Sequence, residues 1–253
     1  MAISPKGTLG SLQWAILAQN VLTFMVPAFL TTAIINKRPF AFIDADSLPS
    51  WKAFGYALII YVCAIPSLNF IIWLNENMSL PGCLSGVEQW MRQMEDALEA
   101  TTKQLMAIDS IGQLLLTLLL VGVITGVGEE MFFRGALQNI LLSKPMNKHI
   151  AVWIVAIVFS AIHFQFFGFV PRLLLGAFFG YLVIWSGSLW LAALMHAINN
   201  SLTVIFNYAK HQGCDSVAWL EDIGSPDCMP FCALASAIIV LALFYYLKDK
   251  SWR

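Results

Sequence analysis

The amino-acid sequence predicts an all-α protein: a polytopic transmembrane helix bundle of about seven spans, with one amphipathic helix at the membrane surface. The first observation is composition, since 59% of the 253 residues are hydrophobic and only 11% are charged, whereas a soluble domain carries roughly 25% charged residues. The mean hydropathy is correspondingly high, at +0.74. The second observation is a series of seven apolar stretches of about the length that a bilayer core of ~30 Å requires.

The seven predicted spans run through residues 12–35, 54–74, 111–142, 150–167, 172–185, 188–208 and 230–247. The third is longer than a bilayer requires and is polar in its second half, and the fifth is short enough to be tilted or partly re-entrant. The first is interpreted as a retained span, because no small-residue cleavage site of a signal peptide precedes it.

No repeat, linker or low-complexity tract divides the chain, so residues 1–253 are predicted to form a single integral membrane domain. Its first part, residues 1–109, holds two spans and the amphipathic helix. Residues 110–208 form the core spans, and residues 209–253 an outer loop and the last span. The net charge of −1 indicates no basic face for nucleic acid.

The amphipathic helix is predicted within residues 85–109. Its apolar residues recur at mostly three- and four-residue steps, with acidic residues on the opposite side, which is typical of a helix on the membrane surface or over the bundle. Two roles are open, a gate over an active site and a plain solvated connector. The apolar residues are Val87, Trp90, Met91, Met94, Leu98, Leu105 and Met106.

The Lys and Arg residues of the loops predict an outside N-terminus and an inside C-terminus, because cytoplasmic loops are enriched in these residues. This orientation suits the plasma membrane, and it places Cys83, Cys214 and Cys228 outside. There Cys214 and Cys228 either close a loop as a disulfide or remain thiols. The eight inner residues are Lys37, Arg38, Lys52, Lys144, Lys148, Lys248, Lys250 and Arg253, and the five outer ones Lys6, Arg92, Lys103, Arg172 and Lys210.

Span three carries charged side chains, which cost ~2.5–3.5 kcal/mol each inside a membrane and are therefore functional candidates. Glu130 and Arg134 are four residues apart and can form an ion pair. Glu129 lies about 100° round the helix without a local counter-charge, so it can serve as a general base. The alternative is a purely structural charge pair, with Glu129 reaching outward. Gly126 and Gly128 permit another helix to approach closely.

Spans four and six carry His163, His196 and Asn200. His196 and Asn200 share a helix face and can donate to a developing oxyanion, while the alternatives are a hydrogen-bonded structural histidine and a polar packing seam. Counted from the inner ends of the spans, Glu129 and His163 are both about 20 Å deep, and His196 and Asn200 about 12 and 18 Å. The four groups are therefore predicted to share one layer.

Three motifs lie on separate spans: EExxxR at residues 129–134, FxxxH at 159–163 and HxxxN at 196–200. In this order they resemble the CAAX-processing and bacteriocin-processing (CPBP) family, which includes the type II CAAX prenyl endopeptidases. Phe133-Arg134-Gly135 also resembles the family pattern. The resemblance covers roughly residues 115–206, and it does not extend to the first two spans, the amphipathic helix or the last span.

The resemblance implies an intramembrane protease that hydrolyses a peptide bond of a membrane-associated protein or peptide. Glu129 would activate the water and His163 would assist in positioning or proton transfer. His196 and Asn200 would stabilise the oxyanion. The supporting residues would be Glu130 and Arg134.

Members of the family are often labelled metalloproteases, and Glu129, His163 and His196 could be the three ligands of a catalytic zinc. No HExxH motif is present, and we prefer a glutamate mechanism without a metal or other cofactor. Two other functions are open: a non-proteolytic scaffold or immunity protein on the same fold, and a proton-coupled transporter. Against a transporter, the chain shows no inverted repeat and no second acid-bearing half.

Overall fold

A computed structural model describes residues 9–36, 38–214, 218–248, 250 and 252 of the chain. The predictions that concern Lys6, Lys37 and Arg253 lie outside the described residues. Within them every regular element is helical, and no strand occurs, which confirms the all-α fold. The helices are α1 (Gly10–Ile35), α2 (Pro39–Phe42), α3 (Trp51–Glu76), α4 (Ser85–Met106), α5 (Ile111–Leu142), α6 (Lys148–Ala161), α7 (Phe169–Ser186), α8 (Leu189–His211), α9 (Ala218–Asp222) and α10 (Pro230–Leu247).

Among the residues that the structure describes, six helices are long and apolar enough to cross a membrane: α1, α3, α5, α7 together with the 3-10 turn that precedes it, α8 and α10. Their outer faces expose large apolar side chains, among them Ile34 and Phe231, which are 85% and 86% exposed. Contact of such faces with lipid is favourable, whereas their exposure to water costs free energy. The fold is therefore a polytopic transmembrane bundle, as predicted.

The predicted fourth span differs from the structure. Helix α6 has 14 residues, about 21 Å at 1.5 Å per residue, which is shorter than the ~30 Å core. The chain leaves the helix after Ala161, passes a left-handed residue at Phe164 with φ of 53°, and returns through a 3-10 turn at Phe166–Gly168 into α7. Helices α6 and α7 pack along each other, and α6 leads from the loop after α5 to the turn that Asn75 holds. This short apolar helix therefore connects opposite ends of the bundle beside the six longer apolar helices.

The loops gather at two ends of the bundle. At the first end, the backbone N–H of Leu189 donates to the Asp44 carbonyl over 2.8 Å, and the Asn139 side chain donates to the Asp44 carboxylate over 3.1 Å. The Ser50 hydroxyl donates to the Trp252 carbonyl over 3.0 Å at the same end. These are loops that the predicted topology places on one side of the membrane.

At the second end, the Asn69 amide donates to the carbonyls of Leu220 and Ile223, both over 3.0 Å. The Asn75 amide donates to the Phe166 carbonyl over 3.2 Å, which holds the α6–α7 turn. This end also contains the loop between α8 and α10. None of the five cysteines forms a disulfide there or elsewhere, all five being described residues, so Cys214 and Cys228 are not bridged.

Close packing at glycines positions the acidic residues of α5. A Cβ at Gly126 would lie 2.9 Å from the backbone nitrogen of Ala197 in α8, so the two helices touch backbone to backbone. A Cβ at Gly128 would lie 3.3 Å from Asn20 and Met25 of α1. The close helix approach predicted at these glycines is confirmed, and it buries the residues that follow them.

Candidate active site

The acidic residues of α5 occupy a short α-helical segment, Thr125–Glu130, between two π-helical segments at Leu118–Ile124 and Met131–Gln138. Single π-helical turns are frequent at functional sites because they re-aim side chains. Glu129 is 7% exposed and Glu130 is fully buried. Sequence analysis gave no sign of the π-helical segments.

The predicted ion pair between Glu130 and Arg134 is present, with 2.7 Å between Glu130 Oε1 and Arg134 Nη1 and both side chains fully buried. Arg134 Nη2 also donates to the Gly176 carbonyl of α7 over 2.7 Å. The guanidinium lies over the rings of Phe159 and Phe179, 4.6 and 5.5 Å from their centroids. Arg134 therefore joins α5, α6 and α7 while neutralising a buried carboxylate.

His196 of α8 is held by the same carboxylate. Its Nδ1 lies 2.7 Å from Glu130 Oε1, and because an ionised carboxylate only accepts, Nδ1 carries the proton and donates. The ring stacks on Phe179 at 4.8 Å. Its Nε2 lies 3.8 Å from Glu129 Oε2. Glu129 thus has an imidazole neighbour from another helix, which was not predicted from the sequence.

His163 lies two residues beyond the end of α6, so its predicted position inside a helix is wrong. Its Nδ1 is 2.7 Å from the Phe159 carbonyl. A carbonyl only accepts, so Nδ1 carries the proton and the lone pair of Nε2 stays available for another donor. The Phe159 ring contacts both His163 and His196, at 5.1 and 5.8 Å between centroids. The Phe159 ring therefore packs against both histidines.

Asn200 lies one turn after His196 on α8. Its Nδ2 donates to the Val121 carbonyl of α5 over 3.2 Å, and its Oδ1 accepts from Asn199 over 3.2 Å. The Asn199 oxygen accepts in turn from the Tyr61 hydroxyl over 3.1 Å. The Asn200 amide is thereby fixed in orientation, with a second N–H on Nδ2 remaining.

The four predicted catalytic residues line one cavity of ≈ 670 Å³, together with residues of α1, α3 and α4. This volume suits a ligand site, for which about 300–1,000 Å³ is usual. The four groups, predicted to share one layer, thus line the same cavity. Glu130 and Arg134 lie behind His196 and do not line the cavity. The four lining residues are Glu129, His163, His196 and Asn200.

A family model described as "Rce1-like: Type II CAAX prenyl endopeptidase Rce1-like" matches residues 111–202. The match begins at the first residue of α5 and ends within α8, and it contains all three motifs. This region of the chain is therefore similar to the type II CAAX prenyl endopeptidases, in agreement with the resemblance that the three motifs carry. The match supports CAAX-type intramembrane proteolysis as the general class of activity. Searches of curated proteins and of solved structures found no match.

The amphipathic helix α4 lies outside the residues that the family model matches but reaches the site. Glu95, Thr102, Leu105 and Met106 of this helix line the cavity, and Glu95 accepts from the backbone N–H of Phe167 over 2.9 Å. The amphipathic helix predicted here is confirmed, and it covers the cavity rather than only connecting two spans.

Arg172, predicted as an outer loop charge, lines the same cavity. Its Nη2 donates to Gln165 Oε1 over 2.6 Å. Sequence analysis missed Arg172, Gln165 and Glu95 as parts of the site. The available signal was the polar pair Gln165 and Arg172 within an otherwise apolar stretch.

The alternative zinc ligands do not form a metal site in this arrangement. Among the residues that the structure describes, no three His, Cys, Asp or Glu side chains are placed to hold one ion. Both histidines donate from Nδ1, His196 to Glu130 and His163 to the Phe159 carbonyl, which leaves Nε2 of each neutral ring with its lone pair. The metal-free mechanism stays a prediction that chelation tests.

Proposed function

We propose that this protein is an intramembrane endopeptidase that hydrolyses a peptide bond of a membrane-associated protein or peptide. The observation that supports it is the convergence of a buried glutamate, two histidines and an asparagine on one cavity within a membrane bundle. These groups supply a base, proton carriers and oxyanion donors, which are the parts that peptide hydrolysis requires.

In the first step, Glu129 accepts a proton from a water molecule whose oxygen attacks the substrate carbonyl carbon. The new C–O bond forms as the carbonyl π electrons move to oxygen, which becomes an oxyanion. Glu129 is 7% exposed, so bulk water does not compete for its carboxylate. A base positioned in this way contributes about 10²–10⁴ to the rate.

His196 and Asn200 stabilise the oxyanion. With Nδ1 donating to Glu130, His196 donates to the substrate when Nε2 is also protonated. Its imidazolium and the Arg134 guanidinium then balance the two carboxylates of Glu129 and Glu130, which keeps the buried cluster neutral and limits its desolvation cost. The second N–H of Asn200 provides the other donor.

In the last step the C–N bond breaks as the oxyanion collapses, and the leaving amine takes the proton from Glu129. Glu129 returns to its carboxylate form, so no proton is gained or lost over the cycle. The unprotonated Nε2 of His163 accepts a hydrogen bond from the water or the leaving amine, which orients it. His163 is therefore proposed to position the proton transfer rather than to supply the base.

The proposed activity is tested by sequencing protein termini in cells that carry the intact chain or Glu129→Gln. A matched control is Glu99→Gln, since Glu99 is 55% exposed on α4, forms an ion pair with Lys103 and does not line the site cavity. We expect new termini of membrane-associated proteins with the intact chain and the control, and their absence with Glu129→Gln. Identical termini in all three strains would refute proteolysis and favour a scaffold.

We further propose that the chain lies in the plasma membrane with its N-terminus outside and its C-terminus inside, from the charge bias of the loops. Cys83 is exposed and should react with an impermeant thiol reagent in intact cells when it is the single cysteine. A cysteine introduced by Lys144→Cys should react only after lysis. The reverse pattern would invert the orientation and leave the fold unchanged.

A further inference from the structure

A second cavity of ≈ 660 Å³ lies between α3, α6, α7 and α10. We name it the lateral groove. Its opening faces the lipid side of the bundle, because Leu241 and Tyr245 on its rim are 69% and 74% exposed and Trp153 is 40% exposed. Most of its wall is apolar, and includes Ile60, Ala64, Leu68, Leu174, Phe178 and Val240.

One end of the lateral groove is basic. Lys148, His149 and Lys248 line it, and Lys248 lies 4.5 Å over the ring of Tyr245. Lys148 is the first residue of α6 and Lys248 directly follows the last residue of α10, so both lie where the bundle meets the membrane surface. No Asp or Glu is among the described residues that line the groove.

The length of the groove corresponds to one leaflet. Helix α7 contributes residues from Leu174 to Trp185, a distance of about 16 Å at 1.5 Å per residue. This is about half of the ~30 Å hydrocarbon core. A chain that enters from the basic end would therefore finish near the middle of the bilayer, which is where a lipid tail ends.

We propose that the lateral groove binds one glycerophospholipid with an anionic headgroup. Its acyl chain lies along the apolar wall, and its phosphate lies between Lys148 and Lys248. The argument is charge complementarity, since basic pockets between helices at the membrane surface select anionic headgroups. The inference does not depend on the proposed peptidase activity, because no residue of the catalytic set lines the groove.

Headgroup selectivity is measured by native mass spectrometry of the purified full chain with phosphatidylglycerol or phosphatidylcholine of matched acyl length. We expect phosphatidylglycerol to bind more tightly. Lys148→Gln and Lys248→Gln should each weaken its binding roughly fivefold, the equivalent of about 1 kcal/mol per basic residue. The control Lys144→Gln, an exposed lysine outside the groove, should leave binding unchanged.

The acyl chain is tested with Ala64→Phe, which fills the groove, against Val62→Phe, which adds the same bulk at a 53% exposed position outside it. Ala64→Phe should weaken the binding of both lipids at least tenfold, and Val62→Phe should not. If Ala64→Phe fails to fold, the three lysine variants still test whether the groove binds an anionic lipid. Equal binding of the two lipids, or an equal loss in Lys144→Gln, would overturn the proposal. Displacement of the lipid by a lipid-modified peptide, blocked by Ala64→Phe, would also overturn it and assign the groove to substrate.

Discussion

The two cavities of this protein have nearly the same volume, ≈ 670 and ≈ 660 Å³, but opposite chemistry. The site cavity is lined by the four predicted catalytic side chains, whereas the lateral groove is apolar along its wall and basic at one end. They share Leu175, and Tyr61 of the groove donates to Asn199 of the site cavity. Convergent polar groups, rather than cavity volume, therefore distinguish the proposed reaction site from the groove.

The two cavities also differ in the surroundings of their charged side chains. Beside the site cavity Glu130 and Arg134 are fully buried and form an ion pair, and His196 is bonded to the same carboxylate. In the groove Lys148 and Lys248 lie at the exposed end, where water and headgroups solvate them. Changes in the first set should therefore affect folding and turnover, and changes in the second only lipid binding.

The largest effect on stability is expected from breaking the buried ion pair. Glu130→Gln or Arg134→Met strands one charge and should lower the free energy of unfolding by about 3–5 kcal/mol. Glu129→Gln strands no partner in this way and should remain folded. Lys148→Gln in the groove should change stability by less than about 0.5 kcal/mol. Unfolding in detergent measures all four, and equal losses at Glu129, Glu130 and Arg134 would contradict this division.

The next effect concerns turnover alone. Asn200→Ala removes one oxyanion donor and should lower turnover about 10²–10³-fold, while KM changes little. Asn207 lies on the same helix outside both cavities, so Asn207→Ala is its control. Steady-state kinetics with a peptide substrate measure both quantities for the two variants. A raised KM with unchanged turnover would assign Asn200 to substrate binding instead.

Local sequence patterns were sufficient for most of the fold. The predicted spans 111–142 and 230–247 coincide with α5 and α10, because an apolar run and its flanking polar residues are both local. The end of α6 could not be predicted, since apart from His163 and Gln165 the sequence stays apolar through Phe167. The structure ends this helix with remote partners: Asn75 bonds to the Phe166 carbonyl and the Val170 N–H, and Glu95 to the Phe167 N–H.

The site was predictable only in part, for a similar reason. Spacing along one helix revealed the Glu130–Arg134 pair. The contact of His196 with Glu130 joins residues 66 positions apart, and periodicity carries no information on such pairs. The same holds for Arg172, whose place in the cavity follows from the turn after α6 rather than from its own neighbours in sequence.

A substitution at the contact between α5 and α8 should also affect the two cavities differently. Gly126→Ala would force α5 away from Ala197 of α8, and such overpacking costs about 1–3 kcal/mol. Neither helix lines the lateral groove, so activity should fall while lipid binding persists. Gly112→Ala in the same helix meets no atom within 4 Å and should be neutral. If both variants are neutral, the close contact is not required.

The smallest effect is expected at Tyr61, which lines the lateral groove and bonds to Asn199 of the site cavity. Tyr61→Phe removes the hydrogen bond to Asn199, which orients Asn200. A neutral hydrogen bond contributes about 0.5–1.5 kcal/mol, so turnover should fall about 2- to 10-fold with lipid binding unchanged. Peptide kinetics and lipid binding on the same preparation test this, and a loss of lipid binding with unchanged turnover would show that Tyr61 does not act through Asn199.

The central claim is that Glu129 activates the hydrolytic water by its own basicity. The most direct measurement is peptide turnover by purified protein that has been washed with a chelator and shown to be free of stoichiometric zinc. We expect the intact chain to keep its activity and Glu129→Gln to lose about 10²–10⁴ of it under the same conditions. Activity that disappears on chelation and returns with zinc alone would contradict the account, since the metal would then lower the pKa of the water.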